Sequence, residues 1–289
     1  MFQGYSRKSF LILLTLNLVR VPLMAQESDS SGVSTSRLAV FGGVTVGAMI
    51  GVHLYQQQAW WNGPKGSFWL YNDWNFGKGV DKAGHVYGAY FASTVFREGF
   101  RWCGFSDRSS LMLGASAGLA LEMYVEIEDG FHEIYGFSPG DAMADFIGVA
   151  LPLAEATFPV LENFRPKWSY WPSSDLRAAL RRGENRAFLD DYEGQKHWLA
   201  VDPHFAVGED VGKIIPKWLG IAVGYGVEGS IRERGDAQGV FYFVLDYNFR
   251  RLSPGKGFLH TLFHALDFVH LPAPGIKVRG NKVSFGIIF

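Results

Sequence analysis

Charged residues recur at helical spacing inside otherwise apolar, glycine-rich segments between Asp81 and Asp145. Three stretches carry them: Asp81, Lys82 and His85 in DKAGH; Glu122, Glu126 and Asp129 in LEMYVEIED; Asp141 and Asp145 in SPGDAMADFIG. Each set repeats at i, i+3 or i+4, so a helix would place it on one face. Burying such groups is costly unless they are paired or bind an ion. Three helices of this kind are therefore expected to turn Asp81, Lys82, His85, Glu126, Asp129, Asp141 and Asp145 toward one cluster, the candidate catalytic centre of the chain. Two chemistries follow. His85 with Glu126, Asp129, Asp141 and Asp145 is a candidate ligand set for a divalent metal ion, since imidazole suits zinc or iron and clustered carboxylates suit magnesium, calcium or manganese. An ion held there could activate water against a lipid, phosphate or glycan bond. The competing and favoured reading is structural: Lys82 and His85 neutralise the acids, and the remaining carboxylates cap helices and close hydrogen bonds in a bundle. Glu122, one turn before Glu126, is expected to face water.

The elements that must position this cluster are legible in the pattern. An apolar segment from Leu38 to Tyr55 carries Gly43, Gly47 and Gly51 at four-residue spacing, which leaves one helix face bare, in contact with either a membrane or a dry bundle. An aromatic loop from Tyr55 to Gly79 follows, with Trp60, Trp61, Trp69, Tyr71 and Trp74. Helices are predicted at about 81–99, 107–128 and 138–156. Ser138, Pro139 and Asp141 read as an N-cap, a first-turn proline and an acid that complements the helix dipole. The region 158–196, with a short charged helix near Asp175 to Arg182, reads as a linker. After it the period changes from helical to two. Leu219, Ile221, Val223, Tyr225 and Val227 alternate with Gly220, Ala222, Gly224 and Gly226, and Phe241, Phe243, Leu245, Tyr247 and Phe249 share a face. With a first strand near 197–207 and a last from Gly275 to Phe289, about four strands are expected, and an amphipathic helix near Phe258 to Phe268. The terminal alternation Val283, Phe285, Ile287, Phe289 resembles the last strand of outer-membrane barrels, but four strands are too few for a single-chain barrel, which starts near eight. The fold class is α+β: an N-terminal helical bundle of about four helices, over 36–157, followed by a small antiparallel β-sheet with one helix, over 197–289.

Composition narrows the function. The 289 residues are 48% apolar, enough for a sizeable core. A formal charge of −1 with scattered Lys and Arg argues against a nucleic-acid partner. Arg7 and Lys8, the apolar run from Phe10 to Val19, and Leu23, Met24 and Ala25 fit a secretory signal over residues 1–25, with cleavage after Ala25. No cysteine lies near that position, so lipid attachment there is not expected, and the single Cys103 has no internal disulfide partner. The glycine loop of a phosphate site is missing too, since the glycines of GYGVEG alternate within a strand.

The DKAGH motif, the GFSDRSSLMLG segment from Gly104, the pair Glu126 and Asp129, and the FSPGDAMADFIG segment from Phe137 together resemble the YfiM-like family of predicted periplasmic lipoproteins, a domain without an established function. The matching positions are Asp81, Lys82, His85, Gly104, Ser106, Glu126, Asp129, Ser138, Asp141, Asp145 and Gly148, and the resemblance covers roughly residues 80–155. DDYEGQKHWLAVD and PKWLGIAVGYGVEG look like the extension of longer envelope members. Val125 stands where the family often has lysine. A looser similarity links the DKxxH-type helix to VanZ-like membrane proteins. The resemblance implies an exported, membrane-associated protein on the periplasmic side of the cell envelope, associated with the outer membrane. Its partner would be the membrane or an envelope protein. A divalent ion and a small-molecule substrate belong only to the alternative of a metal-dependent hydrolase.

Overall fold

A computed structural model describes residues 32–289 apart from 185, 187, 208 and 232–234. The expected signal segment, 1–25, lies outside the described residues. Four long helices come first, and local caps set their starts. Ser34, Ser106 and Ser138 accept backbone N–H groups through their side-chain oxygens at the heads of α1 (Thr35–Ala59), α3 (Asp107–Gly130) and α4 (Pro139–Thr157). The start of α2 (Val80–Trp102) is made differently: Gly77, Lys78 and Gly79 all take left-handed backbone angles, and the chain turns sharply into the helix.

Helices α2, α3 and α4 form the core of the bundle because glycines let their backbones meet. A Cβ on Gly118 would lie 2.3 Å from Ser93 Oγ, one on Gly114 2.7 Å from the Arg97 nitrogen, and one on Gly148 2.4 Å from the Val86 carbonyl. The glycines of α1 behave otherwise. Gly43, Gly47 and Gly51 have nothing within reach, and Phe41 and Gln56 are the buried residues of that helix. Phe41 rests on Gly99 between the rings of Phe96 and Phe100, which ties α1 to the end of α2. The expected four-helix bundle is thus three close-packed helices with a fourth leaning against them. Both α1 and α3 are long and apolar enough to cross a membrane. Helix α3, however, packs against α2 and α4 and carries Glu122, Glu126, Glu128 and Asp129 in its last turns, which marks it as a bundle helix.

Six strands follow, not four, in one antiparallel meander of order β1 to β6: β1 (Phe164–Tyr170), β2 (Gln195–Val201), β3 (Leu219–Glu228), β4 (Gln238–Tyr247), β5 (Ala273–Arg279) and β6 (Lys282–Ile288). Short helices interrupt it: α5 (Ser174–Arg181), α6 (Glu209–Ile214), α7 (Phe249–Leu252) and α8 (Phe258–Leu266). Two expectations need correction. The stretch 158–196 is no free linker: it supplies β1, which pairs with β2 along its whole length. The strand expected over 275–289 is a hairpin, with Gly280 at positive φ between Arg279 and Lys282. The sheet curls until β1 meets the far end of the chain. Trp168 exchanges backbone hydrogen bonds with Phe268 and His270, and the ring of Trp171 lies 5.4 Å from that of Phe289.

The sides of the sheet are the reverse of an ordinary soluble sheet. In β3 the small residues Gly220, Ala222, Gly224 and Gly226 face inward, while Ile221 and Val223 face out; in β4 Val240, Tyr242, Val244 and Asp246 face in and Phe241, Phe243 and Leu245 face out. The five outward residues are 42% to 52% exposed. Volume explains the choice: a Cβ on Gly224 would sit 2.3 Å from the Trp198 ring, so the glycines make room for Trp198 and Tyr242 inside the curl. Polar groups share that interior. Buried Lys167 reaches Asp246 at 2.7 Å, Asp267 at 3.3 Å and the Tyr247 carbonyl at 2.8 Å, and His270 Nδ1 lies 2.8 Å from Asp246.

Candidate functional site

The cluster forms where α2, α3 and α4 meet. Asp81, Lys82 and His85 lie on the first turns of α2, and Asp141 and Asp145 on the first two turns of α4, so the backbone approach at Gly148 also sets the distance between the charged groups. His85 Nδ1 is 3.0 Å from Asp145 Oδ1, and its Nε2 faces Asp141 at 3.6 Å and Glu126 at 3.8 Å. Lys82 Nζ contacts Asp141 at 2.7 Å, Asp81 at 2.8 Å and Asp73 at 2.9 Å. Ser138 ties the edges together: its hydroxyl donates to Asp73 and accepts from the Asp141 amide, and its own N–H donates to Glu126 Oε2.

Six of the seven residues singled out by spacing therefore share one site. Asp129 stands apart, since its carboxylate accepts the indole N–H of Trp61, whose ring stacks on His132. Asp73 belongs to the site although spacing could not reveal it. The aromatic loop pairs with the strand-like segment before α4, Tyr71 donating to the Phe137 carbonyl and Phe137 to that of Trp69, and this lays Asp73 beside Ser138. The one available signal was that Asp73 is the sole acid among the aromatic residues of 60–79. Glu122 does not face water as expected: it is half-buried, with Oε1 3.1 Å from where a Gly88 Cβ would stand. His197 of β2 closes another side, its ring against Gly84.

Burial and charge compete in each group. Burial works against the Lys82 ammonium, yet Asp81 and Asp141 outweigh it and hold its pKa above the usual lysine range. Burial likewise opposes the His85 imidazolium, but the Asp145 hydrogen bond and the charges of Asp141 and Asp81 hold it well above the usual value. Burial pushes Asp141 up to about 7 and Glu126 up to about 8 against the pull of His85, and Glu122 up to about 7. Asp129 rises to about 6 by burial, in spite of Trp61. Asp73 is the exception, since the Ser138 hydroxyl and Lys82 overcome its burial and keep it low. Burial drops His197 to about 4, against the weaker pull of Asp81. Two cations thus face six carboxylates, counting Glu122. The surplus acid holds protons or holds a cation.

Two overlapping triads have the separations of a metal site: Asp81, His85 and Asp141, and His85, Glu126 and Asp145, with ligand atoms within 4.8 Å of one another. Lys82 opposes the first, because its ammonium already occupies Asp141 at 2.7 Å. The second fits better. Asp145 Oδ2 is buried without a protein hydrogen-bond partner among the described residues, and a fifth of the His85 side chain is exposed. A metal there would require neutral His85 and would displace its proton.

The chain thus joins a helical unit that buries a histidine, a lysine and paired acids to a sheet with an apolar exterior. Residues 68–156, from the aromatic loop to the end of α4, match the model of a family described as predicted periplasmic lipoprotein (DUF2279), which supports an envelope or periplasmic location. No curated protein and no solved structure matches the chain.

Proposed function

We propose that this chain is an exported, membrane-associated component of the cell envelope, in which the His85 cluster is a buried charge network that fixes the bundle. The single observation that carries this reading is the apolar exterior. Ile221, Val223, Phe241, Phe243 and Leu245 project from the sheet, and Val46, Ile50 and Leu54 from α1, all 42% to 57% exposed. Exposed apolar residues in such number mark a membrane or partner contact. The order of the four motifs further supports the narrower YfiM-like kinship and outer-membrane association. Fractionation tests the proposal: the protein should sediment with membranes and stay there through alkaline carbonate washing. Recovery in the soluble periplasmic fraction without detergent would refute it.

A second reading, a metal-dependent hydrolase of an envelope lipid, phosphate or glycan bond, is favoured by the triad His85, Glu126 and Asp145 and by the surplus of carboxylates around it. In that reading His85, Glu126 and Asp145 would hold the ion, which would lower the pKa of a water for hydrolysis. Metal analysis of the purified protein separates the two readings.

A further inference from the structure

One end of the sheet carries a site that neither the cluster nor the family match concerns. Where β2 and β4 end and β3 begins, the mouth of the curl opens into a charged cavity of about 230 Å³, whose walls include Lys167, Asp202, Asp246, Asp267, Arg250 and Arg251. Three of its acids are buried and committed, Asp246 and Asp267 to Lys167 and Asp202 to Asn248 and Arg251, while Glu162 is exposed at its edge. Arg250 and Arg251 are accessible cations beside the cavity. Arg250 and Arg251 keep 30% and 40% of their side chains exposed. Arg250 Nε lies 3.0 Å from Asp267 and Arg251 Nε 2.6 Å from Asp202. Both side chains line the cavity, and guanidinium groups suit phosphate oxygens.

On the outer side of this same end lies an apolar groove of about 390 Å³, floored by Ile221, Val223, Phe243, Leu245, Ile276 and Phe285. Val201 lines both the cavity and the groove, so the two meet around the end of β2. Aromatic rings collar the rim: Trp218 stacks on Tyr247, Tyr247 on Phe249, and Phe205 packs on Phe164. Paired cations, an aromatic collar and an apolar wall below it follow the order of layers met on entering a bilayer from the water side. The proposal rests on the membrane-associated reading above and deepens it. We infer that this rim binds a phospholipid, its phosphate on Arg250 and Arg251 and one acyl chain in the outer groove.

The test uses the full chain in a mild non-ionic detergent with added phosphatidylethanolamine, and counts retained lipid by native mass spectrometry. Wild type should hold one lipid per chain. The pair Arg250→Gln and Arg251→Gln should weaken retention at least tenfold, and so should Val223→Asn with Phe243→Asn, whereas Arg251→Lys should keep most of it. Circular dichroism checks that each variant is folded. Should the glutamine pair unfold, the groove pair alone decides, because its positions are exposed. Equal retention by wild type and folded groove variants overturns the proposal. So does inorganic phosphate that raises the melting temperature of wild type as much as the lipid does, which would make the arginines a free-phosphate site. Vesicle flotation keeps the two readings apart. If wild type floats while the arginine variants retain lipid like wild type, the lipid site alone falls; if wild type does not float, the membrane reading falls.

Discussion

Lys82→Met is the sharpest probe of the network, because it keeps the side chain's length and removes the one ammonium that three carboxylates share. In the structure Lys82 Nζ lies 2.7 to 2.9 Å from Asp141, Asp81 and Asp73, with 12% of its side chain exposed. Removing one partner of a buried charged group costs about 3 to 5 kcal/mol. The lower end applies here at neutral pH, since Asp141, already raised to about 7, can take up a proton and shed part of the repulsion. A loss of about 3 kcal/mol in a chain of this size lowers the melting temperature by roughly 6 to 12 °C. The deficit must also depend on pH. Near pH 5 more of the freed acids are protonated, and the variant should approach wild type; near pH 8 the gap should be widest. Adding Asp141→Asn should recover part of the loss, as expected of residues in one network. Thermal unfolding followed by near-UV circular dichroism at both pH values measures all of this. A variant melting within about 1 °C of wild type, or a deficit equal at pH 5 and pH 8, would refute the reasoning.

The network's own titration predicts that wild type loses stability as pH rises. Glu126 and Asp141 bind protons more tightly folded than unfolded, with values of about 8 and 7 against ordinary carboxylate values of 4.5 and 3.8, and His85 is raised as well. Their stabilising contribution is complete below the unfolded values and is lost as pH passes through the folded ones, so the melting temperature should fall between pH 6 and pH 9; a rise over that range would contradict the assignment. For the structural reading, dialysed protein should carry no stoichiometric divalent ion, and a chelator should leave the melting temperature unchanged; one ion per chain, lost in His85→Ala and kept in Asp129→Asn, would instead establish the metal reading. Gly224→Val drives a side chain into the Trp198 ring, where even a Cβ would sit at 2.3 Å. It should cost about 3 kcal/mol or more by overpacking, and chemical denaturation with an unshifted midpoint would show that Trp198 has room to move.

What the sequence disclosed and what it hid divide along physical lines. The helices were legible because their ends are local events: Ser106 and Ser138 announce α3 and α4, and spacing at i, i+3 and i+4 put His85 opposite Asp141 and Asp145. Asp73 was hidden because its place depends on the aromatic loop pairing with Phe137, more than sixty residues away. The strand β1 was hidden by Pro166 and flanking prolines, which disfavour a sheet interior but are compatible with the terminal strand of the meander. The β5–β6 turn was signalled by Gly280 and Asn281, a two-residue hairpin loop that the longer alternation masked.

The sheet shows the deeper limit. Alternation tells which residues share a face, and Ile221 with Val223 and Phe241 with Phe243 do; it does not tell which face is the inside. The decision comes from the partners across the curl. Trp198 and Tyr242 need the volume that Gly224 and Gly226 leave, and Lys167, Asp246 and His270 need one another, so the small and polar faces close together and the large apolar residues are left outside. Once the interior charges are paired within the protein, they no longer depend on water, and the exterior is free to meet an apolar medium. The same logic runs through the bundle, where Lys82 and His85 gather the acids inward while Val46, Ile50 and Leu54 of α1 stay exposed. In both units the side that is buried is set by what the partners across the interface require, volume for Trp198 and counter-charge for Lys82 and Lys167, and the large apolar residues take the side that is left.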